Sequence, residues 1–221
     1  MQSSPTRTIV DTLTRAIVEH RLQPGTKLAE QKLADHFGVS RTLVRQALFQ
    51  LVQKHLVRME PARGAFVAAP TVEEARQVFQ VRRLLEAEVV REFVRKVTPA
   101  RLKALREHMA QEKAAMGRPD ASERQQLLGD FHVRIAELAD NAVLAQILRD
   151  LVSRSSLITL MYQRDSFAAH SQEEHVELVK ALAARDEKRA VKLMEEHLLH
   201  VEESLAFDRP VPSHDIALAL A

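Results

Sequence analysis

From Thr71 to Phe207 the sequence reads as one amphipathic helix after another, and this excludes most folds. Apolar residues recur at three- and four-residue intervals, the signature of a helix with one buried face. Strong helix formers (Ala, Leu, Glu, Arg and Lys) dominate. The punctuation is sparse: Thr98-Pro99, Gly117-Arg118-Pro119 and Asp140-Asn141. The spacing predicts helices over 71–97, 99–116, 121–139, 141–163, 171–184 and 186–207. The first opens with Thr71 at the N-cap and Glu74 three residues on, a capping box in form. With 5 Gly and 8 Pro in 221 residues, a turn-rich all-β fold is excluded. Cysteine is absent, which removes disulfide scaffolds, thiolate zinc sites and cysteine nucleophiles. No apolar run approaches the roughly 18 residues of a membrane span, and Met1–Ile9 has no apolar signal core. The expectation is a mainly α, soluble protein of the cytoplasm that does not engage a membrane.

The first seventy residues follow a different plan. Ile9, Leu13 and Ile17 mark a helix over Thr8–His20, and Leu22-Gln23-Pro24-Gly25 is a turn. A short helix, Ala29–Phe37, stops at Gly38. Ser40, a good N-cap, starts a third helix that runs to about Lys54, with Val44, Ala47, Leu48 and Leu51 facing inward. Two short strands, Leu56–Met59 and Ala65–Ala68, flank Glu60-Pro61-Ala62-Arg63-Gly64. This order of elements is a winged helix-turn-helix. Three pieces follow: a winged helix-turn-helix domain over 1–69, an all-helical domain over 70–208, and a loose tail over 209–221. The net charge of +2 conceals the same division. Residues 1–70 carry 10 Lys+Arg against 5 Asp+Glu, leaving 22 against 25 for the remainder. A basic head on a slightly acidic body points to a polyanion as the partner of the head.

The chemistry of the head centres on its third helix. Arg41 and Arg45 stand one turn apart and share a face, with Thr42 and Gln46 beside them, opposite the apolar stripe. Arginine suits bidentate bonding to guanine and glutamine suits adenine. A recognition helix reads the major groove mainly with its N-terminal residues, where these lie. Ser40 caps the helix and is placed to meet a phosphate. Arg63-Gly64, at the hairpin tip, is placed to reach an adjacent minor groove or phosphate. The competing reading is a solvated charged face on an ordinary small helical domain.

Residues 21–67 resemble the DNA-binding domain of the GntR family of bacterial transcription regulators. The matching text is Arg21-Leu22, Pro24-Gly25, Leu28, Glu30, Leu33-Ala34, then Gly38-Val39-Ser40-Arg41-Thr42, Val44-Arg45, Ala47-Leu48, and Arg63-Gly64, Phe66-Val67. The resemblance implies that Arg41, Thr42, Arg45 and the wing around Arg63-Gly64 contact an operator. Two residues depart from the pattern. Leu43 replaces the usual Pro, and Phe49 stands where a polar residue is usual. Phe49 is expected to pack against the wing or the second domain.

The helical piece resembles the FCD ligand-binding domain of the FadR subfamily. The matching text is Val81-Arg82, Leu84-Leu85-Glu86, Phe131-His132, Leu138, Asn141, Arg154-Ser155-Ser156-Leu157-Ile158, Glu174-His175 and Met194, His197-Leu198. Six helices place it nearer the shorter, VanR-like version. Six of the ten histidines lie in this part of the chain and a seventh, His214, in the tail after it. His132, His175 and His197 each adjoin a core stripe, whereas His108, His170, His200 and His214 read as surface or loop residues. Imidazole is a common ligand of zinc, nickel and manganese, and helix bundles build metal sites from facing helices. No two of the three are four residues apart, so spacing leaves open whether they converge or are three separate core histidines. The resemblance implies that they converge on one divalent metal ion (zinc, nickel or manganese). Metal-binding members commonly carry Asp or Asn four residues before the first of these histidines, where this chain has Leu128. Asp130 lies about 200° round the helix from His132, so an oxygen ligand is left to water or to an effector. Arg82 and Arg154, in apolar-patterned helices, are the candidate ligands for that effector, a small organic acid. Glu86, four residues after Arg82, is the alternative internal partner.

These readings describe a homodimeric transcriptional regulator, a repressor and not an enzyme. It would bind a pseudo-palindromic duplex operator under control of a small carboxylate held near a metal. Two alternatives remain at this point: a metal-dependent hydrolase built on the three histidines, and a non-specific DNA-binding protein.

Overall fold

The computed structural model describes residues 4–18, 21–118, 121–163 and 167–207, so the tail over 209–221 and His214 lie outside the described residues. The chain divides between Pro70 and Thr71 into two compact units.

In the first unit, helix α1 (Pro5–Val18) packs on α3 (Arg41–Gln53), and α2 (Glu30–Phe37) packs on α3 as well. Ile9, Leu13 and Ile17 of α1 are buried together with Leu33, Val44, Leu48 and Leu51. Gly38 ends α2 at φ 62°, ψ 36°, and its N–H bonds back to α2 carbonyls. This left-handed conformation is available to glycine without steric cost. Ser40 then caps α3, its side chain accepting from the Leu43 N–H.

The sheet has three strands where the sequence predicts two. β2 (Val57–Glu60) and β3 (Gly64–Val67) form the expected hairpin, and β1 (Lys27–Leu28) pairs antiparallel with the other edge of β3, Leu28 opposite Ala65. A two-residue strand shows no alternation and exists only through its distant partner, so local pattern does not reveal it.

The second unit contains α4 (Val72–Lys96), α5 (Pro99–Met116), α6 (Ala121–Leu138), α7 (Ala142–Tyr162), α8 (Phe167–Ala183) and α9 (Glu187–Glu203). Thr71, Thr98, Asn141 and Asp186 cap four of them through side-chain oxygens. Each such cap is worth about 1 kcal/mol. α8 begins four residues earlier than the apolar pattern indicates, which brings His170 into a helix. α4 packs on α9 and α7, α6 lies between α5 and α7, and α8 packs on α5 and α9. Phe79, Phe93, Phe131, Leu148, Leu182 and Leu198 form the centre of the core. Burying a side chain of this size contributes roughly 1.5–3 kcal/mol, which fixes the helices that carry the histidines.

Candidate nucleic-acid interface and metal centre

On the head, Arg41, Thr42, Arg45 and Gln46 are exposed on the first two turns of α3. Both arginines are held by one carboxylate that the sequence reading did not single out. Glu30, the first residue of α2, accepts from Arg45 Nε at 2.9 Å, Arg45 Nη2 at 2.7 Å and Arg41 Nη2 at 3.2 Å. The hydrogen bond from Arg45 pulls the Glu30 carboxyl below its usual value against a smaller effect of burial. The two guanidinium groups are therefore fixed side by side before any partner arrives. Arg63, at the turn between β2 and β3, bonds Glu60 and lies over the Phe66 ring at 5.1 Å. Phe49 is 53% exposed, so it is not buried against the wing.

In the helical unit the structure brings His132 on α6, His175 on α8 and His197 on α9 together, their candidate ligand nitrogens all within 4.8 Å of one another. All three are buried. Each offers Nδ1 to a glutamate from another helix. His132 Nδ1 is 2.5 Å from Glu86 Oε2, His175 Nδ1 is 3.1 Å from both oxygens of Glu112, and His197 Nδ1 is 2.7 Å from Glu174 Oε2.

The charge states follow from the surroundings. Burial would raise the Glu86 carboxyl, but the Arg82 guanidinium leads the opposing effects and holds it at about 2. Burial likewise opposes ionisation of Glu174, yet hydrogen bonds from His197 and His200 hold it at about 2. Glu112 is also lowered, its histidine contacts outweighing burial. Burial depresses His132 to about 3 and His197 to about 4, against the pull of their glutamates. An ionised carboxylate only accepts, so Nδ1 carries the proton in each imidazole–glutamate pair. In His132 and His197, kept neutral by burial, that leaves the Nε2 lone pair free. His175 Nε2 and His197 Nε2 stand 3.3 Å apart. Two ring nitrogens facing at that distance need a shared proton or a cation between them. Carboxylate-oriented imidazoles with converging ring nitrogens have the donor chemistry of a zinc or nickel site.

A small cavity of about 30 Å³ opens onto this cluster, lined by all three histidines, Arg82, Leu128, Gln125 and several hydroxyl side chains of α7 and α8. Arg82 is buried with its Nε on Glu86 at 2.7 Å and its Nη1 on the Ser155 hydroxyl at 2.8 Å. Its Nη2 is buried without a partner. A buried guanidinium nitrogen left unbonded beside a cavity calls for an acceptor. Leu128 is buried in the cavity wall, so that position offers no oxygen ligand. Asp130 is on the exposed side of α6.

Arg154 is not part of this cavity. Its side chain is 43% exposed and pairs with Asp150 at 3.2 Å. The inward register of α7 runs through Leu148, Val152, Ser155 and Thr159, and Arg154, one residue from Ser155, is turned about 100° away from it. The neighbour Ser155 takes the inward place. His108 is also not a surface residue: its Nε2 reaches Leu127 O at 3.0 Å and Glu112 Oε1 at 3.3 Å.

Residues 5–67 match the family of bacterial regulatory proteins called gntR, and residues 77–200 match the FCD domain. The chain belongs to the GntR family. It is a DNA-binding transcriptional regulator with a winged helix-turn-helix head and an FCD body. It is 26% identical over 194 residues to the HTH-type transcriptional repressor RspR of Escherichia coli K12, covering 87% of this chain and 85% of that protein. It is 27% identical over 207 residues to the HTH-type transcriptional regulator LutR of Bacillus subtilis 168, covering 84% of this chain and 94% of that protein. The crystal structure of a GntR regulator from Rhodococcus sp. RHA1 superposes with a TM-score of 0.70 at 25% identity, covering 91% of this chain and 97% of that one. No helix among the described residues is long and apolar enough to cross a membrane.

Proposed function

We propose that this GntR regulator is a homodimeric repressor of the cytoplasm whose operator affinity responds to a small carboxylate bound beside a divalent metal. One observation carries the effector reading: the partnerless Nη2 of buried Arg82 at a cavity shared with the three histidines. His132, His175 and His197 would hold the metal, which when bound supplies open coordination positions for an anionic oxygen. Arg82 would donate from Nη2 to the same anion. Leu128 supplies no ligand, leaving the oxygen to effector or water. Among the described residues the cavity lining includes no Asp or Glu, and the three nearby glutamates already accept from imidazole.

Ser40, Arg41, Thr42, Arg45, Gln46 and the Arg63-Gly64 tip would read one half-site. Glu30 presets the two arginines, which lowers the cost of ordering them on guanine. A two-fold protein matches two-fold DNA. Dimerisation is supported by exposed apolar side chains on two adjacent helices: Val81 and Leu84 on α4, Val143 and Ile147 on α7, with Leu84 70% and Val143 73% exposed. Such residues mark an association surface.

The test begins by selecting a binding duplex from random oligonucleotides. Affinity for it and for a scrambled duplex is then measured by fluorescence anisotropy at fixed salt, across a panel of small carboxylates with zinc, nickel or manganese. Strong preference for the selected duplex, reduced by one carboxylate only when metal is present, is the expected result. Equal affinity for both duplexes would refute sequence-specific repression. A carboxylate response unchanged in chelator would refute the metal-linked effector site.

A further inference from the structure

A second group of potential ligands lies next to the three-histidine cluster. His170 and Glu174 stand one turn apart on α8, and His200 lies on the neighbouring α9. Their ligand atoms are within 4.8 Å of one another. Glu174 Oε1 is 3.1 Å from His170 Nε2 and 2.5 Å from His200 Nδ1, while its other oxygen receives His197 Nδ1 at 2.7 Å. One carboxylate oxygen thus faces two ring nitrogens from two helices, a compact set of two nitrogens and one oxygen. Spacing alone leaves this hidden, because His200 joins from another helix and only His170-x-x-x-Glu174 is visible in the sequence.

We propose that His170, Glu174 and His200 form a second, outer divalent-metal site, distinct from the His132–His175–His197 centre. Two half-exposed histidines hydrogen-bonded to one glutamate would contribute little to stability, so folding does not require this arrangement. The donor set suits zinc, nickel or copper better than magnesium or calcium. His170 and His200 are about half exposed, which leaves room for water to complete the coordination and makes this the weaker of the two sites. The outer site does not depend on the inner one holding metal, and the test separates them.

Untagged full-length protein, stripped with chelator and dialysed, is titrated with Zn²⁺ by calorimetry. Wild type, the double variant His170→Gln/His200→Gln, and His175→Ala are compared. Gln can still bond Glu174, and neither exposed histidine contributes to the core, so the double variant keeps its fold. Wild type should take up one more equivalent of Zn²⁺ per chain than the double variant. The missing equivalent should be the weaker one, and His175→Ala should lose the tighter one and keep the weaker. Equal stoichiometry in wild type and the double variant overturns the outer site, whatever His175→Ala does. A full complement retained by His175→Ala overturns only the inner site.

Discussion

Replacing Arg82 with Met tests the electrostatic account of the cavity wall most directly. Arg82 and Glu86 are both buried, and Glu86 accepts from Arg82 Nε and faces His132 Nδ1. Met fills much of the volume but leaves the carboxylate with the imidazole N–H alone. Removing one partner of a buried ion pair costs about 3–5 kcal/mol, mostly through the stranded charge. The carboxyl can escape by taking up a proton. From an ordinary value of 4.5, protonation at pH 7 costs about 3.4 kcal/mol at about 1.36 kcal/mol per pH unit. The expected loss at pH 7 is therefore about 3 kcal/mol. The sign of its pH dependence follows. In wild type the folded carboxyl lies below its unfolded value, so its stabilisation is present above pH 4.5 and fades as pH falls toward 2. In the variant the folded carboxyl lies above its unfolded value, so stability is lost as pH rises. The difference between the proteins should shrink by about 1.4 kcal/mol per pH unit from pH 7 to pH 5. The assay is urea unfolding in chelator at pH 5, 6 and 7, followed by helical circular dichroism. Adding Glu86→Gln to Arg82→Met should restore most of the loss, because the stranded charge disappears while the amide oxygen still accepts from His132. A loss below about 1 kcal/mol, or one independent of pH, would refute the buried-pair reasoning.

Three further perturbations probe the other sites. Arg45→Ala should weaken the selected duplex roughly tenfold to a hundredfold and relax base choice, as read by anisotropy; equal weakening on scrambled DNA would assign Arg45 to phosphate. Leu128→Asp should tighten zinc at the inner centre at least about tenfold by adding an oxygen ligand, and should melt lower than wild type in chelator because it buries an unpaired carboxyl; unchanged zinc affinity in competition with a chelating dye would place the ion elsewhere. Leu84→Arg should convert the proposed dimer to monomer in sedimentation velocity, and an unchanged dimer would move the interface off the α4–α7 side.

The order of elements was legible because it rests on local rules. Gly38 requires a left-handed backbone, Ser40 caps, Thr98-Pro99 starts a helix, and apolar residues at helical spacing define faces. The strand at Lys27–Leu28 escaped because its existence depends on a partner almost forty residues away. The three histidines were individually recognisable, yet spacing could not bring them together: they sit on three helices, and convergence depends on packing. Arg154 was misplaced for a related reason. An arginine in an apolar-patterned helix looks buried unless the inward register is counted, and on α7 that register passes through Ser155.

The same counting would have exposed the carboxylates that matter most. On α5 the buried positions run Leu105, Met109, Glu112 and Ala115, so Glu112 occupies an inward place on an otherwise apolar stripe. On α4, Phe79, Arg82, Glu86, Val90 and Phe93 do the same. A glutamate in such a register must find a proton or a donor. Arg82 serves Glu86 from its own helix. Glu112 has only His108 on its own helix, at 3.3 Å, and takes its closest imidazole contact, at 3.1 Å, from His175 on α8. Inward acids and inward histidines on different helices are thus each incomplete, and pairing them satisfies both. The pairing also engages Nδ1 of every one of these rings, which leaves their Nε2 atoms for another partner. The metal-binding character of the centre therefore comes as much from Glu86, Glu112 and Glu174 as from the histidines they orient.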